Sequence, residues 1–133
     1  MLGGGSNLVV SDQGFDGHVL HVRWRGKKRT KVDSGEVFLT VQAGEDWDDL
    51  VAYCVEQGLR GLESLSGIPG TVGASVIQNI GAYGYEISEV LDHIDFLDYQ
   101  TGEERTLYVS DLGLGHRTSH IKIGELQGMV LSV

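Results

Sequence analysis

Proline is almost missing from this chain: Pro69 is the only one among 133 residues. Cysteine is as scarce, and a lone Cys54 excludes an internal disulfide. It falls on the apolar side of an expected helix, which predicts a buried, inert thiol. No apolar run approaches the ~20 residues a membrane span needs, and no signal peptide opens the chain. A reducing, cytoplasmic setting without membrane contact fits these absences. Positive charge is short as well. Ten Lys and Arg face nineteen Asp and Glu, for a formal net charge of −9, which opposes non-specific binding to nucleic acid. Most of the basic residues crowd between Arg23 and Lys31 (RWRGKKRTK). That stretch predicts a solvated hairpin turn around Gly26, with a phosphate-binding patch as the alternative.

Charge is also absent from Ser66 to Tyr85, where an ordinary glycine-rich linker would carry it. The stretch SGIPGTVGASVIQNIGAYGYE holds Gly67, Gly70, Gly73, Gly81 and Gly84, the single proline, and the amide pair Gln78–Asn79. Glycine lets a backbone approach another surface closely, and amides offer donors and acceptors without charge. Two readings stand side by side: a wall for a flat, polar, uncharged heterocycle, or a buried turn with tight helix packing.

The length suits one domain of ordinary size. Patterning predicts α+β or α/β with many short strands. Leu8–Val10 is a short apolar run behind a glycine turn. Residues 18–24 and 36–43 read as strands, the second with Val37, Leu39, Val41 and Ala43 on one face. Asp46–Gln57 is the clearest helix. Its apolar stripe is Trp47, Leu50, Val51, Cys54 and Val55, its first turn is acidic, and Gly58 stops it. Residues 90–99 and 105–109 read as strands joined at Thr101-Gly102, and 126–133 as another strand. Both ends lack the neighbours such elements need, so the sequence reads as the middle of something longer.

Two further motifs carry chemistry. LGGGSNLVV can form a nest of backbone N–H groups around a phosphate. It is neither a Walker A loop nor a Rossmann fingerprint, and alone it reads first as a plain tight turn. In LGLGHRTSHIK, Arg117, Ser119 and Lys122 set two cations and a hydroxyl close together, a pattern suited to carboxylate or phosphate. His116 and His120 are four apart, but no third ligand completes a metal pattern, so no metal is expected. No G-x-S-x-G elbow supports Ser119 as a nucleophile.

In this order, LGGGSNLVV, AGEDWDDLV, GLESLSGIPGTVGASVIQNIGAYGYE and LGHRTSHIK resemble the UDP-N-acetylenolpyruvoylglucosamine reductases, flavoenzymes of bacterial peptidoglycan precursor synthesis. The likeness runs over nearly the whole chain. It implies an α+β, FAD-binding domain of the vanillyl-alcohol-oxidase type. Residues 1–133 would be part of that domain, incomplete at both ends, lacking an N-terminal subdomain and a C-terminal substrate domain. It implies non-covalent FAD and NADPH as co-substrate. The implied substrate is UDP-N-acetylglucosamine enolpyruvate, reduced to UDP-N-acetylmuramate by a cytoplasmic enzyme that is a monomer when full length. The resemblance places Gly3, Gly4, Gly5, Ser6 and Asn7 on the FAD pyrophosphate. It sets Ser66, Gly67, Ile68, Pro69, Gly70, Gly73, Gln78, Asn79 and Gly81 along the flavin and ribityl chain. Tyr83 and Arg117 fall on the substrate, with Arg117 catalytic as the partner of the enolpyruvyl carboxylate, and Ser119 and Lys122 support its loop.

The chain departs from the family pattern at His116, where a tyrosine is usual, and at Leu114 and Ile121, where aromatics are. The family's proton-donating serine and its catalytic glutamate belong to the part that follows, so this chain alone is expected to be inactive. A truncated flavin-binding module, or another FAD-linked oxidoreductase of the same fold, is the alternative.

Overall fold

The computed structural model describes residues 1–31 and 35–133. Its regular elements are short. Strand β1 (Lys27–Lys31) pairs antiparallel with β2 (Val37–Val41), with Lys27 opposite Val41. Helix α1 (Trp47–Glu56) follows, then α2 (Val72–Gln78) and a two-residue hairpin, β3 (Gly81–Ala82) with β4 (Tyr85–Glu86). Strands β5 (His93–Asp98), β6 (Glu104–Tyr108) and β7 (Gly128–Ser132) form an antiparallel sheet in the order β6-β5-β7. The end of β2 is stitched onto β7. Val41 and Val133 exchange N–H···O bonds of 2.7 and 2.8 Å, and Ala43 N donates to Leu131 O at 3.0 Å. All named strand pairs are antiparallel, so the fold is α+β.

Helix α1 forms where its pattern predicts. Asp46 caps it by accepting from Asp48 N and Asp49 N, and Gly58, at φ 67°, closes it. Gly58 N donates to Val55 O and Leu59 N to Cys54 O, the two bonds of a Schellman stop. Trp47, Leu50, Val51 and Cys54 are buried, but Val55 is 57% exposed and leaves the stripe. The core joins that face of α1 to Leu65, Val72 and Val76 and to Ile94, Phe96 and Leu107 of the sheet. Burying each of the larger side chains contributes ~1.5–3 kcal/mol.

Several expectations change. The basic stretch is not a turn tip, because Lys27–Lys31 is β1, an exposed edge strand recruited by the alternating β2. Lysine on such an edge discourages further strand pairing. Residues 18–24 form no strand beyond a bridge between His21 and Leu2. Leu8–Val10 is not a strand either, and Val9 is 97% exposed. Helix α2 lies inside the uncharged glycine stretch, which reads from sequence as a heterocycle wall or a buried turn with tight helix packing, with no helix of its own.

Candidate functional site

The Ser66–Thr71 loop hangs from the first turn of α1. Asp48 Oδ1 accepts from Gly67 N at 2.7 Å and from Ser66 Oγ at 2.9 Å. These two bonds, the backbone one first, hold the Asp48 carboxyl below its ordinary value of 3.8. Trp47 N donates to Gly70 O, Val72 N to Glu45 O and Gly73 N to Ala43 O, so the loop enters α2 with its backbone fixed. Gly73 makes that approach possible, since a Cβ there would stand 2.6 Å from Ala43 Cβ.

The glycine turn Gly3–Asn7 lies against this loop. A Cβ on Gly4 would be 3.0 Å from Gly70 Cα, and Ser6 Oγ donates to Pro69 O at 3.2 Å. Among the described residues, no acceptor takes the backbone N–H groups of Gly3 to Asn7. Between turn and loop opens a cavity of about 430 Å³. Gly3, Gly4, Gly5, Ser6, Asn7, Ile68, Pro69, Gly70, Gln78 and Arg117 all line it, with Trp47, Ala74, Ile77 and Ile80 adding apolar surface. An apolar wall, two side-chain amides, a row of free N–H donors and a guanidinium fit a flat ring system with an anionic tail.

The other residues singled out by the sequence, Ser66, Gly67, Gly73, Asn79, Gly81 and Tyr83, do not line this cavity. Ser66 and Gly67 tie the loop to Asp48. Asn79 is buried at φ 43°, and its amide nitrogen donates to Glu86 Oε2 at 2.8 Å and Gly115 O at 2.9 Å. Gly81 opens the first strand of the hairpin, where a Cβ would meet Tyr85 O at 2.8 Å. Tyr83 stands at the hairpin tip, 90% exposed.

Arg117 sits in a tight loop in which Gly115 and Thr118 exchange backbone bonds of 3.2 and 3.1 Å. Its Nη2 donates to Gly81 O at 2.8 Å, and no carboxylate pairs with it among the described residues. The loop is fastened to the end of α2. Ser119, buried, donates to Ile77 O at 2.8 Å and accepts from Lys122 N. Lys122 Nζ donates to Arg117 O at 2.6 Å and to Gln78 Oε1 at 3.1 Å. His116 Nδ1 lies 3.6 Å from Glu86 Oε1, an ion pair when the imidazole is protonated. His120 lies beside Glu125 at 3.3 Å. Among the described residues, no group of three or more His, Cys, Asp or Glu is placed to hold a metal ion.

Sequence reasoning missed Glu86 and the role of Asp48. Asp48 carried a signal only as one of three acids in a first turn. Nothing in the spacing of Glu86 points to Asn79.

The profile of the FAD binding domain family matches residues 1–108. The chain belongs to that family. Its relatives narrow the likeness. It is 56% identical over its full length to a UDP-N-acetylenolpyruvoylglucosamine reductase of Saccharopolyspora erythraea, and 54% identical to one of Leifsonia xyli. It spans 36% and 35% of those two proteins, about a third of their length. The crystal structure of the reductase from Thermus caldophilus superposes with a TM-score of 0.63 at 34% identity, over 71% of this chain and 34% of that one. This FAD binding domain chain therefore corresponds to a portion of such a reductase. The family profile stops at Tyr108, so the Arg117 loop of the FAD binding domain chain rests on the reductase likeness alone.

Proposed function

We propose that the chain is the FAD-holding portion of an NADPH-dependent oxidoreductase that converts UDP-N-acetylglucosamine enolpyruvate to UDP-N-acetylmuramate in peptidoglycan synthesis. The observation that carries this reading is the meeting of Gly3–Asn7, Ile68–Gly70, Gln78 and Arg117 on one cavity, in a chain matched end to end by reductases so named. FAD, held there, would supply hydride-transfer chemistry for the enolpyruvyl double bond, with NADPH as the source of reducing equivalents. Gly3–Asn7 hold the diphosphate through free N–H groups. Ile68, Ile77 and Ile80 offer the ring a dry face, and Gln78 offers it a hydrogen bond. Arg117, fixed by Gly81 O and by Lys122 behind it, pairs with the substrate carboxylate. Its charge is set where negative charge builds up as hydride arrives. The general acid that the reaction also needs belongs, in this reading, to the remainder of the enzyme.

A transplant tests the reading. This chain replaces the matched third of the Saccharopolyspora erythraea reductase, and FAD retention and NADPH oxidation are followed. Retained flavin, with NADPH consumed only when UDP-N-acetylglucosamine enolpyruvate is present, is the expected result. A folded, flavin-bound chimaera without substrate-dependent oxidation overturns it.

A further inference from the structure

Glu86 takes no part in the chemistry described above, yet its contacts lead to Arg117 by two separate routes. We propose that Glu86 is a positioning residue for Arg117. Its carboxylate orients the Asn79 amide that holds the Arg117 loop, and its strand carries the partner of the carbonyl that takes the guanidinium.

The first route runs through Asn79. A carboxylate only accepts hydrogen bonds, so Glu86 Oε2, 2.8 Å from Asn79 Nδ2, turns the amide nitrogen toward itself. The second N–H of that nitrogen then meets Gly115 O at 2.9 Å, and Asn79 Oδ1 is left to accept from Ser88 N at 3.3 Å. Asn79 is buried. A flipped amide would set an oxygen against Glu86 and strand both Gly115 O and Ser88 N. Gly115 opens the tight loop that carries Arg117.

The second route crosses the β3–β4 hairpin. Glu86 is the register partner of Gly81, and Gly81 O accepts from Arg117 Nη2 at 2.8 Å. A Cβ on Gly81 would stand 3.0 Å from Glu86 Cγ, so glycine there lets the Glu86 side chain lie across the strand. Glu86 is itself held. Its backbone N donates to Glu89 Oε1 at 2.9 Å, and its carboxylate accepts from Glu89 N in a capping box. Its Oε1 lies 3.6 Å from Nδ1 of His116, the residue just before Arg117. Among the described residues no carboxylate pairs with Arg117. Glu86 thus fixes the frame around the guanidinium and leaves its charge for a ligand carboxylate. That last step rests on the reductase reading; the positioning itself does not.

Two measurements test the role. The first is the heteronuclear 1H–15N NOE of the Arg117 Nε–H in the 133-residue chain, with β5 amide shifts reporting the fold. A rigid value is expected in the unsubstituted chain and in E89Q, which removes the same charge from the same turn and keeps an acceptor for Glu86 N. In E86A the value should fall to that of a free side chain. In E86Q, which keeps one acceptor oxygen, it should fall part of the way. A rigid Arg117 in E86A, or in E86Q where E86A does not fold, overturns the proposal. So does an equal fall in E89Q, or a mobile Arg117 in the unsubstituted chain. The second measurement uses the reductase chimaera. E86A should lower kcat about tenfold or more, while FAD affinity changes about threefold or less. In R117A the further cost of E86A should be about twofold or less, because a residue that acts through another has nothing left to act on. Full additivity of the two losses overturns the positioning role. A flavin-bound chimaera without turnover counts against the reductase reading alone, and the NOE then decides the role of Glu86.

Discussion

Among the described residues, Asn79, Tyr83 and Arg117 are the only ones other than glycine with positive φ, at 43°, 55° and 55°. All three lie where the end of α2, the β3–β4 hairpin and the Arg117 loop converge. Such backbone costs on the order of 1–3 kcal/mol per residue and persists only where surrounding contacts enforce it. For Asn79 the contacts are explicit: Glu86, Gly115 and Ser88 N all bond its amide. Asn79→Ala strands half-buried polar partners and keeps the unfavourable φ. It is expected to lower stability by about 2–4 kcal/mol in urea denaturation, and a loss within about 0.5 kcal/mol would mean that the amide does not tie these loops. Arg117→Ala, made in the reductase chimaera, should lower kcat about 10²–10³-fold while FAD affinity changes little. Equal losses in both would remove its charge-stabilising role. Asp48 adds a pH dependence. Its carboxyl lies below the ordinary 3.8 when folded, so the stability from its tie to Gly67 and Ser66 is present above that value. It is lost as pH falls through the lowered folded value. Thermal melts between about pH 5 and pH 2 should show this acid destabilisation shrink in Asp48→Asn. An unchanged pH profile would dissociate Asp48 from the loop.

At the scale of elements, what the sequence revealed depended on whether the stabilising neighbours were local. Helix α1 was legible because its stripe, acidic cap and glycine stop all lie within thirteen residues of one another. Strand β2 was legible from alternation, and the β5–β6 hairpin from its turn. Helix α2 was hidden because its apolar residues share a stretch with glycines that usually mark turns. It is kept helical by packing on Ala43 and by backbone bonds to Glu45 and Ala43, contacts about 30 residues away in sequence. The basic stretch was misread for a related reason, since a charged run looks like a turn until the strand that pairs with it is known. The same dependence makes Gly73 the sensitive point of α2. Gly73→Ala favours a helix locally, yet its Cβ would stand 2.6 Å from Ala43 Cβ and 3.2 Å from Ala43 backbone atoms. Overpacking of this kind costs about 1–3 kcal/mol, so the variant should be net destabilised in chemical denaturation. Net stabilisation would show that α2 can lift away from Ala43 freely.

At the scale of the molecule, the two walls of the cavity differ in how they are held. One wall, the Ile68–Thr71 loop and α2, is bonded into α1, Ala43 and the buried core. The other, Gly3 to Asn7, is anchored by the Leu2–His21 bridge and the single bond from Ser6 to Pro69. Its N–H groups have no acceptor among the described residues. Amides so placed open with little free energy, whereas those of β5, between two partners, open only near the global limit. A ligand whose anionic group takes up the free N–H donors must therefore order the loose wall against the rigid one. Amide hydrogen exchange of the chain should be fastest across residues 3–13 and slowest in β5. Saturating FAD should slow exchange in residues 3–8 and in 66–80 while leaving β5, β6 and β7 unchanged. Protection confined to the sheet, or spread evenly over the chain, would place the dinucleotide elsewhere. Protection of both walls would show the glycine turn acting as the half of the site that closes on its ligand.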